Sequence, residues 1–283
     1  MWGRTSSVER GNSPARAGER LAERRRLRRR RGLIAFFILL LLLLAVAIYE
    51  FNQNAVRISR VQIFGADQSL ADIATQAMQG SYLGIIPRDS FFFFPASRIR
   101  AELLAAHPEF AAISIFRNGL TGLTIKIDNR VPVARWCGLA PTEGVEEYCY
   151  LFDVKGYIFG AAATTTQTIN PFIVYAPLVD ETLEPLRATV ANADKLPSAF
   201  DFARQLATLG SPVEYIVFRA DEVDDYLASG TRVTYVLGDE QDAFTALVSA
   251  RENLNLTDGS LDYVDVRFDG KVYLKKKSDT VTQ

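Results

Sequence analysis

Seventeen uncharged residues, Leu33–Tyr49 (LIAFFILLLLLLAVAIY), constrain this chain more than any other stretch. As a helix they extend about 26 Å at ~1.5 Å per residue, close to the roughly 30 Å of a bilayer's hydrocarbon core. Arg24–Arg26 and Arg28–Arg31 stand before the stretch, and Glu50 and a polar run follow it. Residues 1–31 hold eleven arginines, whereas only Arg57 and Arg60 follow closely on the other side. That asymmetry predicts a cytoplasmic N-terminus and an extracytoplasmic remainder, a single-pass type II arrangement in the cytoplasmic (inner) membrane. Ala45-Val46-Ala47 satisfies the small-x-small rule of a cleaved signal peptide. Two features oppose cleavage: the basic region runs past thirty residues, and no Gly or Pro interrupts Leu33–Ala47. Arg30-Arg31 before an apolar run hints at twin-arginine export, but a dense arginine block produces such pairs by chance.

About 230 residues remain beyond the anchor, enough for one large domain or two small ones. The net charge of −1 conceals a division: residues 1–31 carry +8 and the rest −9. Beside a membrane helix, the basic tail suits anionic headgroups better than nucleic acid, and the acidic remainder argues against nucleic acid outside. Both cysteines, Cys137 and Cys149, fall on the exported side, where thiols oxidise. Cys137 ends the expected strand Val133–Trp136 and Cys149 begins the next, so a hairpin there sets the two thiols opposite each other and predicts a disulfide.

Residues 1–32 read as a basic, disordered cytoplasmic tail, 33–49 as the transmembrane helix and 50–57 as a linker. Ile58–Phe64 then alternates as a strand up to Gly65. Leu70, Ile73, Ala74, Ala77 and Met78 recur at helical spacing before Gly80, and Pro95 opens a second helix with Ile99, Leu103 and Ala106 on one face. His107-Pro108 ends that helix. Ile113 and Ile115 mark a strand, Asn118-Gly119 a turn, and Leu123, Ile125 and Ile127 a further strand. The order is β-α-α-β-β.

This unit, lying directly outside a single membrane helix, resembles the FtsQ/DivIB family of bacterial division proteins, whose first exported module is a POTRA domain. The residues that carry the resemblance are Val61-Gln-Ile-Phe-Gly65, Ile86-Pro-Arg-Asp89, His107-Pro108 and Asn129-Arg-Val-Pro-Val-Ala-Arg-Trp136. Tyr150-Leu-Phe-Asp-Val-Lys-Gly-Tyr-Ile-Phe159 follows, as the family's second, β-rich module follows its POTRA domain. Tyr263-Val-Asp-Val-Arg-Phe268 and Lys271-Val-Tyr-Leu274 resemble that module's closing strands. The resemblance implies an α+β protein with a POTRA domain over 58–131, a mixed β-sheet domain with two helices over 132–275, and a tail over 276–283. It implies a non-enzymatic divisome component at the division septum, binding FtsB/DivIC- and FtsL-type bitopic partners.

In the second module, strands are expected at Tyr148–Phe152, Tyr157–Phe159, Phe172–Tyr175, Val213–Phe218 and Thr231–Leu237, with a loop over 177–195. Pro197 opens a helix bearing Phe202, Leu206 and Leu209, and Asp239 is placed to cap another bearing Phe244, Leu247 and Leu254. Leu261–Phe268, Asp269-Gly270 and Lys271–Lys275 form the clearest hairpin. Alternation sends Val264, Val266 and Phe268 to the core and Tyr263, Asp265 and Arg267 outward. A two-residue turn sets Arg267 opposite Val272 and Asp265 opposite Leu274. The outermost edge of this last strand is one that a partner can extend or that Lys275–Lys277 blunt against aggregation. The family resemblance, which implies that this region receives the partner, makes Tyr263, Asp265, Arg267, Lys271, Val272, Tyr273 and Leu274 the candidate partner-binding residues.

Little else suggests chemistry. The one histidine, His107, sits before a proline without a nucleophile motif, which suits a structural role. Asp221-Glu222-Val-Asp224-Asp225 lacks calcium-loop spacing and reads as a solvated face. No phosphate loop or metal pattern appears, so no catalysis, cofactor, metal, small-molecule substrate or nucleic acid is assigned. That argues against an anchored cell-wall hydrolase and leaves, beside the division scaffold, a membrane-anchored POTRA chaperone for exported polypeptides. Phe91–Phe94 cannot all face one core. They are either a pinned loop or a patch for a partner or the bilayer.

Overall fold

The structure, a computed structural model, describes residues 15–141, 148–163, 166–180 and 184–277. It is α+β, with five α-helices and a large mixed sheet among those residues. The chain divides into two compact units: residues up to 102 with 115–125, and residues 103–114 with those from 126 on.

The first unit opens on helix α1, Ala15–Phe51. Its segment Arg28–Phe51 is long and apolar enough to cross a membrane, and none of its apolar window is buried among the described residues. Residues 15–32, expected as disordered tail, are helical. Ala, Leu, Glu and Arg are strong helix formers, and extending a helix already nucleated by the apolar run costs little. The side-chain amide of Asn52 caps the end by donating to the Ile48 carbonyl at 2.8 Å.

A short 3₁₀ turn, Asn54–Val56, leads to strand β1, Arg60–Phe64. Asp67 accepts from the Ser69 N–H at 2.7 Å and opens the turn that runs into α2, Ala71–Ala77. Gly80, at φ +91°, stops it. A two-residue ladder that the hydrophobic pattern did not reveal follows, β2 (Ser81–Tyr82) against β3 (Ile86–Pro87). Helix α3 is Ala96–Ala106, and strands β4 (Phe110–Asn118) and β5 (Gly122–Asn129) complete the β-α-α-β-β succession. β1, β5 and β4 lie side by side in that order. The β4–β5 turn requires Gly122, because a Cβ there would stand 2.1 Å from the Asn118 carbonyl oxygen.

The second unit centres on a nine-stranded sheet ordered β14-β13-β12-β11-β10-β9-β6-β7-β8. The strands are β6 (Ala134–Trp136), β7 (Tyr150–Phe152), β8 (Ile158–Ala161) and β9 (Ile173–Tyr175). There follow β10 (Val213–Phe218), β11 (Glu222–Leu227), β12 (Arg232–Val236), β13 (Leu261–Phe268) and β14 (Lys271–Lys276). Two pairs of neighbours joined through a helix are parallel, and each needs a crossover. Helix α4, Leu196–Thr208, links β9 to β10, and α5, Glu240–Ala250, links β12 to β13. Both helices cover one face, where Phe152, Phe202, Leu206, Ile216, Val233, Tyr235, Leu247 and Val264 form the core. Asp239 precedes α5, but its side chain makes no cap hydrogen bond. The Glu240 carboxylate instead accepts from the Gly238 N–H at 2.9 Å.

Two stretches that carry the family resemblance meet within this unit. Arg130 pairs with Asp153 and stacks its guanidinium 4.1 Å from the Tyr157 ring centre. Asp153 also accepts from the N–H groups of Lys155 (2.9 Å) and Tyr157 (3.1 Å), which shapes the turn at Gly156. Arg130 in addition donates its Nε to the Pro108 carbonyl at 3.0 Å and its backbone N–H to Glu109 at 2.8 Å. These bonds tie residues 108–109 to Arg130 and, through Asp153, to the β-rich unit.

Candidate partner-binding surface

On the sheet face opposite the helices, cross-strand pairing lays out two rows. One runs Tyr175, Val217, Asp224, Thr234, Asp265, Tyr273, and the other runs Ile173, Tyr215, Tyr226, Arg232, Tyr263, Lys275. At one end, Cys137 and Cys149 are joined by a disulfide beside Tyr175 and Val217, with Tyr215 and Tyr226 stacked at 4.4 Å. Residues 142–147, between the two cysteines, lie outside the described residues.

Toward the other end the face is ionic. Asp224, buried, pairs with Arg219 and accepts from the Thr234 hydroxyl at 2.6 Å. Arg267 donates to both Asp265 oxygens (3.0 and 2.6 Å) and to Glu222 (2.5 Å). Hydrogen bonds from Arg267 hold the Asp265 carboxyl below its usual range, against a smaller opposing effect of burial. Hydrogen bonds to Asp265 and Glu222 push the Arg267 guanidinium further up. Lys275 reaches Asp262 at 2.8 Å. Tyr263 lies between cations, 5.5 Å from the Arg232 guanidinium and 5.9 Å from the Lys275 ammonium.

This geometry corrects the expected hairpin register. A bulge between Asp265 and Phe268 sets Asp265 opposite Tyr273 and Val264 opposite Leu274. The face that carries Tyr263 and Asp265 therefore carries Tyr273 and Lys275. Val272, expected outward, packs against the core. Phe268, expected in the core, is 51% exposed and meets Tyr273 edge-on at 5.3 Å. Asp265 is buried and holds Arg267, so neither is a free contact residue. Lys271, Tyr273, Leu274 and Phe268 are exposed, but Leu274, expected on the face of Asp265, lies on the opposite face with Val264. Among the described residues β14 has no neighbour on its outer side and is one edge of the sheet. A groove of about 740 Å³ opens between the hairpin and α5, lined by Val266, Phe268 and Val272 on one side and Asp242, Thr245 and Ser249 on the other.

The acidic run does not form a solvated face. Its last four residues belong to β11, a strand in mid-sheet that alternation of Val223 and Leu227 signals and the intervening acids mask. Asp224 faces the arginines, while Asp225 points into the core at 0% exposure. Among the described residues, neither Asp225 carboxylate oxygen nor the buried Tyr235 hydroxyl has a hydrogen-bond partner. Burial, then the Asp224 and Glu240 charges, push the Asp225 carboxyl well up. His107 is engaged structurally, with Nδ1 2.8 Å from Glu109 and its ring stacked on Phe110. No three His, Cys, Asp or Glu side chains among the described residues are grouped to hold a metal ion.

Compared with known proteins, the chain matches no family model and no curated protein.

Proposed function

We propose that the protein is a single-pass, extracytoplasmic binding protein of the FtsQ/DivIB type, with a POTRA-like first module, acting at the division septum of the inner membrane. Its C-terminal hairpin receives an FtsB/DivIC–FtsL-type bitopic partner. The observation that carries this reading is the free outer edge of β14, flanked by the exposed Phe268, Tyr273 and Leu274. Backbone N–H and C=O groups on such an edge accept an added strand, and the paired aromatics Phe268 and Tyr273, with Leu274 on the other face of β14, supply side-chain contacts. Supporting the anchor, α1 runs unbroken through Ala45–Ala47 to Phe51, and its large apolar side chains from Leu33 to Leu44 are all exposed. Supporting the POTRA-like module, β1, α2, α3, β4 and β5 follow one another, with the short β2–β3 ladder between the two helices, and the three longer strands take the sheet order β1-β5-β4. The one histidine is committed to Glu109 and Phe110, which speaks against its serving in a catalytic triad and favours a binding role.

The test is co-purification of the full chain from its host with Leu274→Glu and Phe268→Ser. Both side chains are exposed, so both variants fold. Loss of the bitopic partner in both supports the reading. Retained binding in both removes the hairpin as the binding surface. Recovery of many unfolded chains in place of one partner favours the anchored chaperone.

A further inference from the structure

The Phe91–Phe94 run and the small β2–β3 hairpin form one apolar surface fixed to the end of the apolar helix. At the hairpin tip Leu83 is 97% exposed and held at φ +52°, in the left-handed region that a leucine rarely adopts. Ile85, Phe92 and Phe93 are each more than two-fifths exposed. Phe51, the last residue of α1, packs edge-on against Phe92 (5.7 Å) and Phe93 (5.3 Å).

This surface cannot drift away from the helix, because hydrogen bonds stitch it to the residues just after Phe51. The Asn52 side chain donates to the Ile85 carbonyl at 3.4 Å. The Ile58 N–H donates to Asp89 at 2.7 Å, and the Phe91 N–H donates to Val56 at 2.8 Å. Arg57 forks onto the Asp89 carboxylate at 2.8–3.1 Å. The segment expected as a linker is thus a clamp. Behind the apolar strip stand cations on aromatic faces: Arg88 lies 5.4 Å from the Tyr82 ring centre, and Arg117 lies 5.0 and 5.3 Å from those of Phe91 and Phe94.

We infer that this surface inserts into the outer leaflet of the same bilayer that α1 spans, seating Leu83, Ile85, Phe92 and Phe93 among the upper acyl chains. The inference rests on α1 being a membrane anchor. If it is, Phe51 lies at the membrane–water boundary, and residues clamped to it share its depth. Apolar side chains at that depth are removed from water, while Tyr82, Arg88 and Arg117 meet ester and phosphate groups. The seat fixes the orientation of the first unit on the membrane, a job that a flexible linker would leave undone.

The experiment uses the full chain in phosphatidylethanolamine–phosphatidylglycerol vesicles. The native cysteines are paired, so an environment-sensitive fluorophore attaches only to Leu83→Cys or, separately, to Leu41→Cys in mid-helix. Nitroxide-bearing lipids then report depth. The label at 83 should lose about half of its emission to a nitroxide placed roughly 5–10 Å below the headgroup boundary. It should respond less to one at the bilayer centre, and the label at 41 should show the reverse. Adding Ile85→Asp and Phe92→Ser should release the label at 83 and leave the label at 41 unchanged. Quenching at 41 with a water-exposed label at 83 overturns the insertion and leaves the anchor standing. Absence of quenching at both positions overturns the anchor, and the insertion with it.

Discussion

The two faces of the nine-stranded sheet solve the same problem, adjacent carboxylates in mid-strand, in opposite ways. Asp224 faces an open layer where Arg219 and the Thr234 hydroxyl satisfy it. Asp225, one residue on, enters the hydrocarbon beneath α4 and α5 and finds no partner for either oxygen among the described residues. The open face is held by a disulfide, stacked tyrosines and ion pairs, and the covered face by apolar packing. On the open face the hydrogen bonds of Arg267 favour the charged form of Asp265, whereas burial on the covered face favours the neutral form of Asp225. Stability should depend on pH with opposite sign on the two faces of the sheet.

The largest expected effect lies at the disulfide. Replacing both Cys137 and Cys149 by Ser frees a loop of twelve residues' separation and should cost about 3 kcal/mol, read as a lower denaturant midpoint with an unchanged slope. A midpoint that does not move would mean that the aromatic row holds this end of the sheet unaided. Next, Arg267→Glu brings a third carboxylate beside Asp265 and Glu222. Discounted for the partial exposure of Arg267, the loss should be about 1–2 kcal/mol, and Arg267→Gln should lose less.

A smaller effect of opposite sign belongs to the covered face. Asp225 binds its proton more tightly folded than unfolded, so its contribution weakens as pH rises above the unfolded value of about 4. Asp225→Asn keeps the shape and removes the titration. It should raise the melting temperature at neutral pH by an amount corresponding to about 1 kcal/mol, and the gain should shrink toward pH 4. On the open face Asp265 binds its proton less tightly folded, so its stabilisation is present at neutral pH and is lost as pH falls below 3.8. Thermal melts of Asp265→Asn and Asp225→Asn across pH 3–8 would show both slopes. Parallel slopes would dissolve the contrast between the faces.

Much of this architecture was readable from local pattern. The apolar run, the β-α-α-β-β succession, α4, α5 and the closing hairpin all follow from spacing and turn residues, as does the pairing of Cys137 with Cys149. What the pattern concealed has physical causes. β11 was hidden because its open-face residues are Glu222 and Asp224, and one of its core residues is also an acid. The hairpin surface was legible only in part. Strict alternation places Phe268 inside and Val272 outside, and a bulge of one residue reverses both. The clamp between residues 52–58 and 85–91 joins segments some thirty positions apart through backbone groups and the side chains of Asn52, Arg57 and Asp89, none of which leaves a trace in hydrophobic periodicity.

The central claim is that β14 is the edge a partner extends. Amide hydrogen exchange on the full chain in detergent or nanodiscs, with and without the co-purified bitopic partner, tests it most directly. Residues 271–276 form the outer strand of the sheet, so their outward-facing N–H groups exchange freely until another strand bonds to them. Binding should slow exchange in that strand by about tenfold or more, with little change in β8 at the opposite edge. Unchanged exchange across 271–276 while the partner is bound would contradict the account and place the interface elsewhere.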